Sequence, residues 1–141
     1  MSRVQLALNV ADLASSVAFY RQLFGVEPHK QRPGYANFAI ADPPLKLVLI
    51  ETPSEQRGIG AAGALNHLGI EVADTAEVTR AADRLATAGL PIRVEDGALC
   101  CYARQDKVWV ADPAGAPWEV YTVTDDDPGS TVRQLPVLGC C

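Results

Sequence analysis

The 141-residue sequence lacks a basic excess, a long apolar run and an export signal. Its 12 lysines and arginines are outnumbered by 17 aspartates and glutamates, so it carries a net charge of −5, whereas a nucleic-acid-binding protein needs a basic face. No apolar stretch approaches the roughly 18 residues of a membrane span, and the amino-terminal segment lacks the apolar region of a signal peptide. We therefore expect a cytoplasmic protein with neither a nucleic-acid nor a membrane partner.

Cysteine is scarce, and all four cysteines fall in two adjacent pairs, Cys100–Cys101 and Cys140–Cys141. Thiols in the cytoplasm are normally kept reduced, and a disulfide between neighbouring residues closes a strained ring. The pairs therefore indicate thiols that are available for chemistry rather than a disulfide framework.

What the sequence does contain is an internal repeat. "QLALNVADLASSVAFYRQLFG" (5–25) aligns with "HLGIEVADTAEVTRAADRLATAG" (67–89), and both predict a short strand, a Val-Ala-Asp turn and a helix. Asp12 and Asp74 are suitable helix N-caps, and Gly25 and Gly89 are suitable terminators.

Two further stretches, "YANFAIADPPLKLVLIE" (35–51) and "KVWVADPAGAPWEVYTV" (107–123), each predict strand, Ala-Asp-Pro turn and strand. We therefore predict an α+β fold in which two tandem βαβββ modules, 3–52 and 66–124, form a mixed-sheet cleft. A linker (53–65) joins the modules, and a flexible tail (125–141) follows them. Because one chain holds both modules, a monomer is sufficient for a complete site, and we expect a monomer or a homodimer.

Matching positions of the repeat carry three metal-ligand types. Gln5 and His67 open the first strands of the two modules, and Glu119 lies in the last strand of module two, where Lys46 is its rough counterpart in module one. An amide oxygen, an imidazole nitrogen and a carboxylate suit a divalent first-row ion with open positions. Taken singly, each has an ordinary structural interpretation, and only the repeat favours a metal site. His29 lies in a polar stretch and is expected at the surface.

The adjacent pair Cys100–Cys101 has two interpretations. Two neighbouring thiolates bind soft ions such as trivalent arsenic or cadmium, and Arg104 and Lys107 lie near enough in sequence to favour the thiolate. Alternatively, one cysteine is a small core residue and its neighbour is incidental. The terminal pair Cys140–Cys141 is read as incidental.

The duplicated pattern, with "NVADLASSVAFYRQLFG" and "ADPAGAPWEVY", resembles the glyoxalase/extradiol-dioxygenase superfamily, also called vicinal oxygen chelate proteins, from residue 3 to about residue 123. In that superfamily the ligands come from the first and last strands of each module, which implies Gln5, His67 and Glu119 as ligands with Lys46 in the fourth position. "CCYARQDKVWVADPAGAPWEVY" is similar to the branch that holds C–As lyases and cadmium-induced proteins.

The resemblance implies Fe(II) as cofactor, O2 as co-substrate and a trivalent methyl or aromatic organoarsenical as substrate. Cys100 and Cys101 would hold the arsenic, and Lys107 or Lys46 would stabilise negative charge that develops on dioxygen. Two alternatives stay open. One is a non-enzymatic cadmium- or arsenic-binding protein, and the other is a different dioxygenase of the superfamily.

Overall fold

The computed structural model describes residues 2–57, 63–100, 102–113 and 115–129, and the chain divides into two units, 3–66 and 67 onward. The elements in chain order are β1 (Arg3–Val10), α1 (Leu13–Phe24), β2 (Lys30–Arg32), β3 (Tyr35–Ile40), β4 (Leu45–Glu51), α2 (Ser54–Arg57), β5 (Leu65–Glu71), α3 (Thr75–Thr87), β6 (Ile92–Cys100), β7 (Ala103–Ala111) and β8 (Pro117–Asp125).

In the first unit the strands lie in the order β2-β3-β4-β1. The β1–β4 pair is parallel and the other pairs are antiparallel, so the sheet is mixed. Leu13 and Val17 of α1 pack against one face of this sheet, where they meet Phe38, Leu47 and Leu49. This apolar contact fixes the helix to the sheet.

The ends of α1 follow from its sequence. The Asp12 side chain accepts a hydrogen bond from the Ser15 backbone N–H at 3.0 Å, and hydrogen bonds from Ser15 hold the pKa of Asp12 below its ordinary value. Gly25 ends the helix in the left-handed region, with φ at +68°.

The second unit repeats the plan with strand order β5-β8-β7-β6, in which β5 and β8 are parallel. Val78, Ala81 and Ala82 of α3 pack against Val108 and Val120. Asp74 caps α3 by accepting a hydrogen bond from the Glu77 N–H at 2.9 Å. The Glu77 carboxylate accepts one from the Ala73 N–H, one residue before the cap, so the two residues form a capping box whose return bond is shifted by one position.

Each sheet thus has one face covered by a helix and a second face with buried polar side chains. On that second face the first unit carries Gln5 and Lys46, and the second unit carries His67, Lys107 and Glu119. The polar face of each unit is the one that concerns function.

The α+β class and the two βαβββ modules are confirmed. The stretch predicted to be a linker, 53–65, contains the four-residue helix α2, because Pro53 O accepts hydrogen bonds from the backbone of Gln56 and Arg57. Most of the predicted tail, 130–141, lies outside the described residues. Across the described ranges, no helix combines the length and the apolar character that a membrane span requires.

Candidate metal and thiol site

Three charged or ligating side chains of the second unit form a buried cluster. His67 is 1% exposed, Glu119 2% and Lys107 0%. His67 Nε2 lies 3.4 Å from Glu119 Oε1, and Lys107 Nζ donates a hydrogen bond to Glu119 Oε2 at 2.8 Å. Each oxygen of the buried carboxylate therefore has its own partner.

The strand register brings these side chains together. Glu119 of β8 lies directly opposite Trp109 of β7 and beside Gly69 of β5. His67 is two residues before Gly69, so it faces the same side of the sheet. The rings of His67 and Trp109 meet edge to face with centroids 5.3 Å apart, which fixes the orientation of the imidazole.

The electrostatics keep the carboxylate ionised. Burial acts to raise the pKa of Glu119, but the hydrogen bond with His67 and the charge of Lys107 outweigh it, so this pKa lies below its ordinary value. A carboxylate that is deprotonated and already desolvated is a ready ligand for a cation.

Lys107 is held more tightly than a surface lysine. Its ammonium lies 5.4 Å from the centroid of the Trp109 ring and 5.8 Å from that of Tyr121, in addition to its ion pair with Glu119. These contacts compensate for the loss of hydration of a fully buried ammonium. Lys107 therefore orients Glu119.

The other two predicted residues lie in the first unit. Gln5 and Lys46 are 3% and 8% exposed, and they lie opposite each other on the parallel strands β1 and β4. The repeat had suggested Lys46 as the counterpart of Glu119, and the register corrects this. In the second unit Glu119 lies opposite Gly69, which is two residues after His67. In the first unit the residue two after Gln5 is Ala7, and Val48 lies opposite it. The strand register, rather than the position after the Ala-Asp-Pro turn, decides which residues are equivalent. A valine cannot ligate, so this position still lacks a fourth ligand.

The donor set fits a divalent first-row ion in part. Among the described residues no group of three or more His, Cys, Asp or Glu side chains is arranged around one point. One imidazole nitrogen and one carboxylate oxygen lie 3.4 Å apart, a distance that two bonds of about 2.1 Å to one ion span. The third predicted donor, the Gln5 amide, is buried in the first unit.

Cys100 ends β6 and is 2% exposed. Cys100 lies opposite Ala103, and Ala98, two residues earlier on β6, lies opposite Gln105. Because alternate residues of a strand share a face, Cys100 faces the same side as Gln105 and Lys107. In this structure Cys100 takes part in a disulfide, whereas a reduced thiol is expected of a cytoplasmic protein. A disulfide sulfur offers no thiolate, so soft-ion binding requires prior reduction. Cys101, Cys140 and Cys141 lie outside the described residues.

Arg104 and His29 are the two remaining residues whose positions the sequence predicted. Arg104 lies opposite Leu99, which puts it on the other face of the sheet from Cys100, and its guanidinium donates to Gly97 O at 3.4 Å. It therefore does not flank the thiol as proximity in sequence suggested. His29 is exposed, as expected of a histidine in a polar stretch.

Sequence reasoning missed Gln105 and Trp109, which flank Lys107 at alternate positions of β7 and share its face. Both are 6% exposed. Gln105 Oε1 and Trp109 Nε1 are buried without a hydrogen-bond partner in the described part of the chain, so this face carries polar atoms that a bound molecule would satisfy. The signal that could have found them was the period of two around Lys107.

Comparisons with known proteins agree with this architecture. The profile of the Glyoxalase/Bleomycin resistance protein/Dioxygenase superfamily matches residues 3–120. A trivalent organoarsenical cleaving enzyme of Thermomonospora curvata is 55% identical over 141 residues, all of this chain and 89% of that protein. The cadmium-induced protein CadI of Mycobacterium tuberculosis is 58% identical over 126 residues, 89% of this chain and 79% of that protein.

Among solved structures, the 2,3-dioxygenase LapB of Pseudomonas sp. KL28 matches with a TM-score of 0.64 and 20% identity. The match covers 96% of this chain and 46% of that chain. At this identity the likeness concerns the fold alone.

Proposed function

This chain belongs to the Glyoxalase/Bleomycin resistance protein/Dioxygenase superfamily, and from that premise we propose that it is an Fe(II)- and O2-dependent C–As lyase. Its substrates are trivalent organoarsenicals such as methylarsenite and aromatic arsenicals, and its product is arsenite. The 55% identity to a trivalent organoarsenical cleaving enzyme over the whole chain supports this assignment.

The observation that carries the proposal is the composition of one sheet face in the second unit. His67 and Glu119 offer hard nitrogen and oxygen donors, and Cys100 offers sulfur on the same face. A redox-active first-row ion prefers the former and trivalent arsenic prefers the latter. A protein that only sequesters arsenic has no need of the buried imidazole–carboxylate pair.

Each residue has a defined task in this proposal. After reduction, Cys100 and Cys101 displace the two hydroxyls of the arsenical, so that two As–S bonds form and two waters leave with the thiol protons. The two bonds fix the orientation of the organic group. His67, Glu119 and Gln5 are the metal ligands, and Fe(II) supplies the activation of O2 when it is bound.

The lysines take supporting parts. Lys107 occupies Glu119 Oε2 and thereby leaves Oε1, the oxygen next to His67, as the ligand atom. We therefore assign Lys107 to the positioning of Glu119 rather than to direct contact with dioxygen. Lys46, beside Gln5 on the neighbouring strand, supplies positive charge on the polar face of its own unit.

The overall reaction of methylarsenite balances without an external reductant: CH3As(OH)2 + O2 → As(OH)3 + CH2O. The methyl carbon is oxidised to formaldehyde, O2 is reduced, and arsenic remains trivalent. Formaldehyde is therefore the expected second product. The proposal places the protein in the cytoplasm, where thiols are kept reduced.

The test is a product assay. Protein reduced with a phosphine, loaded with Fe(II) and given methylarsenite in air should release arsenite and formaldehyde in equal amounts over several turnovers. Matched samples without O2, or with the protein left oxidised, should release neither. Stoichiometric arsenic binding without arsenite from the reduced, iron-loaded protein would contradict the proposal.

The 58% identity to a cadmium-induced protein supports one other candidate, a binding protein for cadmium or arsenic that uses the same thiols. The same assay separates the two, because a binding protein takes up arsenic and leaves the carbon–arsenic bond intact.

A further inference from the structure

The strand that carries Cys100 changes register before it reaches the thiol. Glu95 lies opposite Lys107, but Ala98 lies opposite Gln105. Two residues of β6, Asp96 and Gly97, therefore face the single residue Asp106 of β7, which is a β-bulge.

The bulge decides which side of the sheet Cys100 faces. Residues directly opposite on antiparallel strands share a face, and successive residues alternate. Ala98 shares the face of Gln105 and Lys107, and Cys100, two positions on, shares it too. If the register of Glu95 continued without a bulge, Leu99 would take that face and Cys100 would turn to the helix side.

A backbone conformation and two hydrogen bonds hold the bulge in place. Gly97 lies in the left-handed region, with φ at +64°, which glycine adopts readily. Its N–H donates a hydrogen bond to Asp106 Oδ1 at 2.7 Å. The Thr75 hydroxyl donates to Asp106 Oδ2 at 2.6 Å, so the start of α3 anchors the carboxylate. Asp106 lies between Gln105 and Lys107 and faces the helix side, so it does not itself line the polar face.

We propose that Asp106 and Gly97 are positioning residues of the thiol site: they hold the extra residue of β6 and so keep Cys100 on the face that carries His67 and Glu119. The inference rests on the proposed function, since it takes Cys100 as an arsenic ligand. Neither residue touches the arsenical.

The first test compares three variants for binding of phenylarsine oxide, a trivalent aromatic arsenical, by the reduced full-length protein. Asp106→Ala removes both acceptors and should weaken binding by about 10–100-fold, the usual effect of losing a residue that orients a ligand. Asp106→Asn keeps the Oδ1 acceptor and should bind like wild type. Asp83→Ala removes an exposed carboxylate of α3 and serves as the control. Co(II) binding, read from its visible spectrum, should stay unchanged in all three.

If Asp106→Ala fails to fold, a second set of variants tests whether the bulge decides the face of Cys100. Deletion of Asp96 removes the extra residue, and an exchange of Leu99 and Cys100 swaps their faces. In the full-length chain the exchange should weaken phenylarsine oxide binding, and in the shortened chain it should strengthen it. An exchange that acts in the same direction in both chains, or a folded Asp106→Ala variant with wild-type affinity, overturns the inference.

The outcomes also separate this inference from the proposed function. If wild type binds phenylarsine oxide through Cys100 but releases no arsenite from methylarsenite, the lyase proposal fails and the positioning role stands. If Cys100→Ser leaves binding unchanged, the positioning role fails, whatever the product assay gives.

Discussion

Glu119 stays charged in the protein interior because each of its oxygens meets a donor. Lys107 binds one oxygen at 2.8 Å and His67 lies 3.4 Å from the other. The attraction within such a group compensates for burial only while all its members are present. The site is therefore sensitive to the loss of any one of them, including the lysine that does not ligate.

Replacement of Lys107 by methionine tests this dependence. The pKa of Glu119, now below its ordinary value partly because of Lys107, should rise. A depressed carboxyl pKa contributes stability above the unfolded-state pKa, and that stability disappears as the pH falls through the folded-state pKa. In Lys107→Met this contribution should therefore be lost, so the deficit in the free energy of unfolding relative to wild type should be largest at neutral pH and should decrease as the pH falls and Glu119 becomes protonated. At neutral pH the unpaired carboxylate should lower the free energy of unfolding by roughly 3–5 kcal/mol.

The measurement is urea unfolding of the metal-free protein from pH 7 to pH 4. Arg80→Met, which removes an exposed cation that lies 3.9 Å from Glu77, is the control and should unfold like wild type across this pH range. A deficit of the Lys107→Met variant that stays constant from pH 7 to pH 4 would refute the role assigned to Lys107.

At the scale of elements, both long helices could be predicted from the sequence because their signals are local. Asp12 and Asp74 cap them as expected, and each helix packs on its sheet through buried apolar residues at helical spacing. The bulge in β6 could not be predicted, because a register shift depends on which strand lies opposite. The stretch "EDGAL" (95–99) contains a glycine and turn-prone residues, which indicates only that a turn or bulge is available there.

At Gly97 the cost of placing a side chain on a left-handed backbone can be measured without a steric clash. An added Cβ would meet its nearest atom, Arg104 Nη1, at 3.8 Å, which is ordinary contact. Gly97→Ala should therefore cost about 1 kcal/mol of stability from its left-handed backbone alone. Gly89, with φ at +80° and nothing within 4 Å of an added Cβ, is the matched position for Gly89→Ala.

Thermal unfolding should give similar losses for the two variants, while phenylarsine oxide titration should show weaker binding only in Gly97→Ala. Equal affinities in two folded variants would mean that the bulge tolerates alanine without moving the thiol.

At the scale of the whole molecule, duplication explains both what could be predicted and what was missed. Equivalent positions of the repeat identified Gln5, His67 and Glu119, all of which are buried. The same reasoning misplaced the counterpart of Glu119, because the strand register, rather than the distance from the Ala-Asp-Pro turn, decides equivalence. Trp109 was missed because a buried tryptophan in a strand is ordinarily core.

In the proposed lyase, separate residues hold the metal and the arsenic, and both sets are needed for cleavage. The most direct test is arsenite release in one turnover by protein loaded first with methylarsenite and then with Fe(II) in air. We expect His67→Ala to retain the bound arsenical and to lose activity by more than the roughly 10–100-fold that a supporting residue accounts for. His29→Ala, at an exposed histidine, should match wild type. Wild-type arsenite release from His67→Ala would contradict the account.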